Sequence, residues 1–193
     1  MFGSNKIVIS KEQYQVVKGV TKISGSKEFD VSYGIIEFGL ILLHTLTLDK
    51  ENGMDEKSSD MFNVWKSEPE AKSMSDAMMK YLSIEDKKEY IGKRDFFSFV
   101  GIHTINVASE QKDTIRGLAR FTGFPERTIS YIAFESGVTF MMLVSESNQD
   151  KIGDTLWEWK QDDDIMKVAD QLRKFWEAGK ENPSNKYINN EEA

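Results

Sequence analysis

The apolar positions of the chain change their period several times, and each change marks an element. Residues 6–10, KIVIS, read as a short strand. Ser10 followed three residues later by Gln13 has the form of a capping box opening a helix that runs through Val20. Gly25 and Ser26 make the next turn. From 32 to 48 apolar residues lie on nearly every face, the pattern of a helix enclosed by others or used between subunits. The charged run 49–60, with Asn52-Gly53, reads as a solvated loop. A second helical region is predicted over 75–91, with a fresh start at Ser83 and Asp86 and a stop at Gly92.

Beyond residue 92 the periods are harder to separate. Residues 95–108, DFFSFVGIHTINVA, fit a buried helix or a strand, and their position favours helix. After Ser136-Gly137 comes VTFMMLVS, rich in residues of high β propensity, then turn chemistry in ESNQDKIGD. TLWEWK follows, with Leu156, Glu158 and Lys160 alternating against Thr155, Trp157 and Trp159. These two segments are expected to form a hairpin. The last helix is expected over 164–178, where Ile165, Val168, Ala169, Leu172, Phe175 and Trp176 lie at helical spacing. Gly179 ends it, and 179–193 is expected to be a flexible tail.

Composition narrows the chemistry. The 193 residues contain no cysteine, which removes disulfides, zinc knuckles and thiol catalysis, and two histidines, His44 and His103, are too few for a histidine-rich metal site. The length argues against a repeat array. Net charge is −7, but it is unevenly spread: residues 87–132 hold eight basic and five acidic side chains, and the flanking regions are both net negative. The apolar run at 7–9 is too short for a signal-peptide core, and 35–48 is interrupted by Glu37 and His44 and too short to span a bilayer. A cytoplasmic location with no membrane partner is the expectation.

The most informative segment is 114–132, TIRGLARFTGFPERTISYI. Two helices crossing at a tight turn need a small residue where backbones approach, a residue tolerating positive φ, and apolar residues holding both to the core. Ala119, Gly123 and Ile129 supply these, Leu118, Phe124 and Ile132 extend the apolar contact, and Pro125 opens the second helix. This pattern resembles the helix-turn-helix of bacterial and phage DNA-binding regulators. With a hairpin after it and a helix at 95–108 before it, the arrangement resembles winged helix-turn-helix regulators of the MarR-like kind.

The pattern over 1–92 predicts an N-terminal helical region that packs or dimerises, and the resemblance implies a winged helix-turn-helix unit with a closing C-terminal helix over 93–178, together a mainly helical α+β fold. The resemblance further implies sequence-specific binding of double-stranded DNA by a homodimeric transcriptional regulator, with the helix over 125–136 as recognition helix. Glu126, Arg127, Ser130 and Tyr131 are the base-contact candidates, and Lys112, Arg116, Arg120, Thr128 and Lys151 the phosphate candidates. Asp150 and Asp154 beside Lys151 depart from a basic wing.

Other readings stay open. Arg116 and Arg120, four apart, also fit a solvated helical face. A protein-interaction module of phage or mobile-element type would keep the winged-helix shape without binding DNA. An enzyme built on carboxylates would place paired acidic groups in a deep pocket near His44 or His103. No P-loop, GxGxxG, GxSxG or HExxH motif is present, so no catalytic residue, metal or cofactor is expected. The two histidines read as core residues, Asp162, Asp163 and Asp164 as a helix cap, the Trp157 and Trp159 pair as one covered face of a strand, and Met54, Met61, Met74, Met78 and Met79 as gap-fillers.

Overall fold

The computed structural model describes residues 5–47, 56–84, 102–145 and 149–180. Strand β1 (Lys6–Ser10) runs straight into α1 (Lys11–Ser24), and α2 (Glu28–Thr45), α3 (Glu56–Ser67) and α4 (Pro69–Ile84) follow. Strand β2 (Ile102–Asn106) then leads into α5 (Ser109–Thr122), α6 (Glu126–Ser145), α7 (Gln149–Lys160) and α8 (Asp163–Lys180). The fold is mainly helical, with one two-stranded antiparallel sheet.

The capping box forms as read. The Ser10 hydroxyl accepts from the Gln13 N–H and the Gln13 carboxamide oxygen accepts from the Ser10 N–H, both at 3.1 Å. α1 stops at Gly25, whose φ of 73° an L side chain rarely adopts and whose N–H donates to the Thr21 carbonyl. The same events recur 98 residues later. Gln111 closes on the Ala108 N–H at 3.2 Å, and Gly123, at φ 78°, ends α5 by donating to the Ala119 carbonyl. The chain contains an internal duplication. Residues 6–47 and 104–145 align without a gap and share ten identities over 42 positions, among them Gln13 and Gln111, Gly25 and Gly123, Glu37 and Glu135, and Gly39 and Gly137.

The two copies are related by a pseudo-two-fold axis. In the β1·β2 ribbon Ile7 pairs with Ile105, its own equivalent, so the axis passes through that pair. Below the ribbon the longest core contact is α2 against α6, and it too is reciprocal. A Cβ on Gly39 would stand 1.8 Å from the Ala133 carbonyl oxygen, and one on Gly137 would stand 1.8 Å from that of Ile35, the residue equivalent to Ala133. Only glycine permits backbones this close. Ile7, Ile9, Ile105 and Val107 point from the ribbon into the core, where Ile35, Ile36, Ile129, Ala133 and Phe134 are fully buried.

Several expectations are corrected. Residues 138–145 are not a strand but the second half of α6, and 155–160 belong to α7, so the expected hairpin and wing are not formed among the described residues. Gly137, just before that segment, is the glycine of a helix crossing. Tertiary packing overrides the β propensity of VTFMMLVS there. In α7 Leu156 and Trp159 are buried three residues apart while Trp157 is 53% exposed, so the two tryptophans do not share a face. The described part of 95–108 is strand β2 rather than helix, with Ile105 and Val107 inward and Thr104 and Asn106 outward. α3 begins at Glu56, inside the expected loop, and α4 starts before Ser75, at Pro69.

The proposed breaks at Ser83 with Asp86 and at Gly92 lie partly or wholly outside the described residues, as do most of the 1–92 boundary region and the tail beyond 180. Residues on both sides of that boundary share the ribbon and the α2–α6 core.

The closing helix forms with the expected apolar stripe, but it runs through Gly179 to Lys180, so Gly179 does not end it. α8 buries Ile165, Val168, Ala169 and Leu172 and packs on α2 and α5, and Asp162 caps it by accepting from the Asp164 and Ile165 N–H groups at 3.1 Å. By length and composition α6 would pass for a membrane span, yet 67% of that window is buried inside the fold.

Candidate functional site

A short turn at 123–125 joins α5 to α6, with Leu118, Ile129 and Ile132 fully buried and Ala119 and Phe124 packed against the same core. The residues meant to read bases are placed differently from the expectation. Ser130 is 1% exposed, and its hydroxyl donates to the Glu126 carbonyl at 2.9 Å. Tyr131 is half-buried, and its carbonyl accepts from Gln13. From Ile129 onward α6 is submerged against α2, so only its first turn, with Glu126 and Arg127, faces out. A helix must project three or four side chains into a groove to read it. α6 does not present them, and its role as recognition helix is withdrawn.

The phosphate candidates also separate. Lys112 is 8% exposed and its ammonium donates to Glu126 at 2.6 Å, which holds the Glu126 carboxyl below its ordinary range, with Arg116 and Arg120 contributing. Arg116 lies 3.6 Å from the same carboxylate and 3.9 Å from Asp113. Arg116 and Glu126 are the equivalents of Lys18 and Glu28, which pair at 2.5 Å in the first copy, so these are fold contacts repeated by the duplication. Arg120 and Arg127 are exposed, and Thr128 is half-buried with its N–H donating to Pro125. Lys151 falls in α7, not at a wing tip.

What sequence reasoning missed is the ribbon. Its inner face is apolar, and its outer face carries Lys6 opposite Asn106, Val8 opposite Thr104 and Ser10 opposite Ile102. Lys6, Thr104, Asn106 and Ile102 are exposed and Val8 is half-buried, whereas Ser10 is occupied as the α1 cap. A two-stranded ribbon fits the width of a major groove. Lysine donates to guanine O6 and N7, asparagine makes a bidentate pair with adenine, and threonine and valine methyls meet the thymine methyl. Lys11 is exposed where the strand becomes α1. The alternation that marks these strands was readable in IHTIN, once it is set beside KIVIS.

The ribbon is held by a crossed brace. Gln13, fully buried, donates from Nε2 to Glu135 of α6 at 2.7 Å, while Gln111, 1% exposed, donates to Glu37 of α2 at 3.0 Å and to the Tyr33 carbonyl at 2.9 Å. Each strand-to-helix junction is thereby tied to the core helix of the other copy. Charge follows the same division. Residues 5–47 and 102–145 hold nine basic and eight acidic side chains, +1, so the remainder of the chain carries −8 of the total −7.

His103 stacks on Tyr14 at 4.7 Å between ring centroids, and His44 lies against Trp176. A cleft of about 970 Å³ carries several carboxylates, but neither histidine lines it. Comparison with protein families, with curated proteins and with solved structures finds no match to the chain.

Proposed function

We propose that the protein binds double-stranded DNA and regulates transcription, reading sequence with the outer face of the β1·β2 ribbon in the major groove. The observation that carries this is the exposed row of Lys6, Thr104 and Asn106 on a two-stranded ribbon whose opposite face is core. Strands rather than a helix are then the reading element, and α6 serves as scaffold. Arg127, Arg120 and Lys11 are the phosphate contacts in this reading, because they are exposed. A homodimer is not needed to complete the ribbon, since one chain supplies both strands.

The test is selection of the full chain against a random-sequence duplex library, followed by anisotropy titration of enriched duplexes at two salt concentrations. Asn106→Ala and Thr104→Ala are expected to relax preference at particular positions by about 1–3 kcal/mol each. Arg127→Ala is expected to weaken all duplexes alike and to lower the salt slope by roughly one. Failure to enrich any duplex, or a Lys6, Thr104, Asn106 triple-alanine variant with unchanged affinity and preference, overturns the proposal.

A further inference from the structure

Beside the first copy a cleft opens. It lies between the first half of α2 and the α3–α4 pair, with Ala108 at one edge, and its volume of about 970 Å³ is at the upper end of what a drug-sized ligand occupies. Four aromatic rings wall it. Phe29 and Tyr33 stack at 6.3 Å between centroids, and Trp65 meets Phe38 edge-on at 5.2 Å. Phe29, Tyr33 and Val64 are exposed at 45%, 36% and 57%, so the apolar wall reaches the surface instead of closing into the core.

The polar lining has one sign. Asp30, Glu37, Glu68 and Glu70 face the cleft, and among the described residues no lysine, arginine or histidine lines it. Glu37 is the deepest of them. Burial pushes its carboxyl above the ordinary range, opposed by the Gln111 hydrogen bond. Burial likewise raises the Tyr33 hydroxyl, with Glu37 and Glu110 adding to it. A partly buried carboxylate without a cationic partner carries a desolvation cost that a bound cation would offset, and aromatic faces attract the same cation through their quadrupoles.

The second copy keeps Tyr131 and Glu135 at the positions of Tyr33 and Glu37 but changes the walls between them. Arg127 stands for Phe29, Ile132 for Gly34 and Ser136 for Phe38, and Ile132 is buried. The cleft is therefore a property of the first copy and not of the repeated scaffold.

We infer that this cleft is a binding site for a lipophilic organic cation, with Glu37 as the charge partner and Phe29, Tyr33, Phe38 and Trp65 as the aromatic walls. The inference does not depend on DNA binding. Because Glu37 is held by Gln111, three residues into α5 from the end of β2, an occupant would touch the brace of the ribbon.

The experiment is calorimetric titration of the full chain at neutral pH with tetraphenylphosphonium and, separately, with tetraphenylborate, ions of matching shape and opposite charge. Saturable one-to-one binding of the phosphonium and at least ~10-fold weaker binding of the borate is expected. Glu37→Gln, which keeps an acceptor for Gln111, is expected to weaken the phosphonium by at least ~10-fold, a change of about 1.4 kcal/mol. Circular dichroism verifies the fold, and should Glu37→Gln unfold, the exposed positions Phe29→Ala and Glu70→Gln serve instead, each expected to weaken phosphonium binding severalfold. Comparable binding of both ions, no saturable phosphonium binding, or indifference to these substitutions overturns the assignment.

Discussion

Replacing Gln13 or Gln111 with methionine removes a crossed brace while keeping side-chain volume, which makes it the sharpest test of the pseudo-symmetric architecture. Each glutamine makes three bonds: its carboxamide oxygen accepts the N-cap N–H, at 3.1 and 3.2 Å, and its nitrogen donates to a carboxylate of the opposite copy, at 2.7 and 3.0 Å, and to the Tyr131 or Tyr33 carbonyl, at 3.5 and 2.9 Å. A hydrogen bond to a charged group contributes about 1.5–3 kcal/mol, and losing a capping bond costs about 0.5–1 kcal/mol at the lower end of cap substitutions. Each variant should therefore lose about 2–4 kcal/mol. Methionine leaves the partner carboxylate without its donor, but no cavity, so the loss reports the polar bonds rather than packing. Urea unfolding followed by circular dichroism is the assay, with m values unchanged and midpoints lowered by roughly 1–2 M if m is about 2 kcal/mol/M. Because the bonds are related by the pseudo-two-fold axis, the two variants should agree within about 1 kcal/mol by the same arithmetic. A loss below about 0.5 kcal/mol in either, the level of an ordinary surface substitution, would refute the brace.

Gly137→Ala and Gly39→Ala force a methyl group into backbone 1.8 Å away and should cost about 2 kcal/mol or more in thermal or urea unfolding, whereas Gly117→Ala, whose Cβ meets only the Phe175 ring at 3.2 Å, should fall within about 1 kcal/mol of the parent. Gly25→Ala and Gly123→Ala meet no atom, so their cost is the positive φ alone, about 1–2 kcal/mol each, measured the same way. Two carboxyls should act on acid stability with opposite signs. Glu126, held low chiefly by the Lys112 hydrogen bond, contributes stability that is present above its unfolded pKa and lost as pH falls through the folded value, and solvent exposure makes that contribution small. Glu37, raised by burial, binds its proton more tightly when folded, so its contribution improves as pH falls through the raised value. Melting temperatures of Glu126→Gln and Glu37→Gln between about pH 3 and 7 should lose the first and second of these trends respectively, and unchanged profiles would contradict the assignments.

Local signals carried much of the fold. The strand at 6–10, the Ser10–Gln13 cap, the turns at Gly25 and Gly123, and the amphipathic α8 all follow from short-range rules that the structure obeys. The errors share one cause. VTFMMLVS has strand-like composition because α6 is buried on nearly all sides, and a helix enclosed by the core needs no polar face, so its periodicity is erased. Gly137 serves a helix crossing that exists only in three dimensions, so its role could not be read from its neighbours. The ribbon escaped notice for another reason: its two strands lie 98 residues apart, and each alone is only five residues long. The glycine, glutamine and glutamate positions common to both copies were the available clue. The cleft left no sequence signal, because Phe29, Trp65 and Glu37 come from separate elements and meet only through packing.

Carrying both halves of a two-fold unit in one polypeptide changes what substitution can achieve. In a dimer of identical chains any altered residue appears twice, and the target must be palindromic to match. Here Lys6 and Thr104 occupy equivalent places yet differ, so the paired strands present unlike letters to the two sides of the axis. On the proposed reading the ribbon suits an asymmetric sequence, and dilution does not separate its halves.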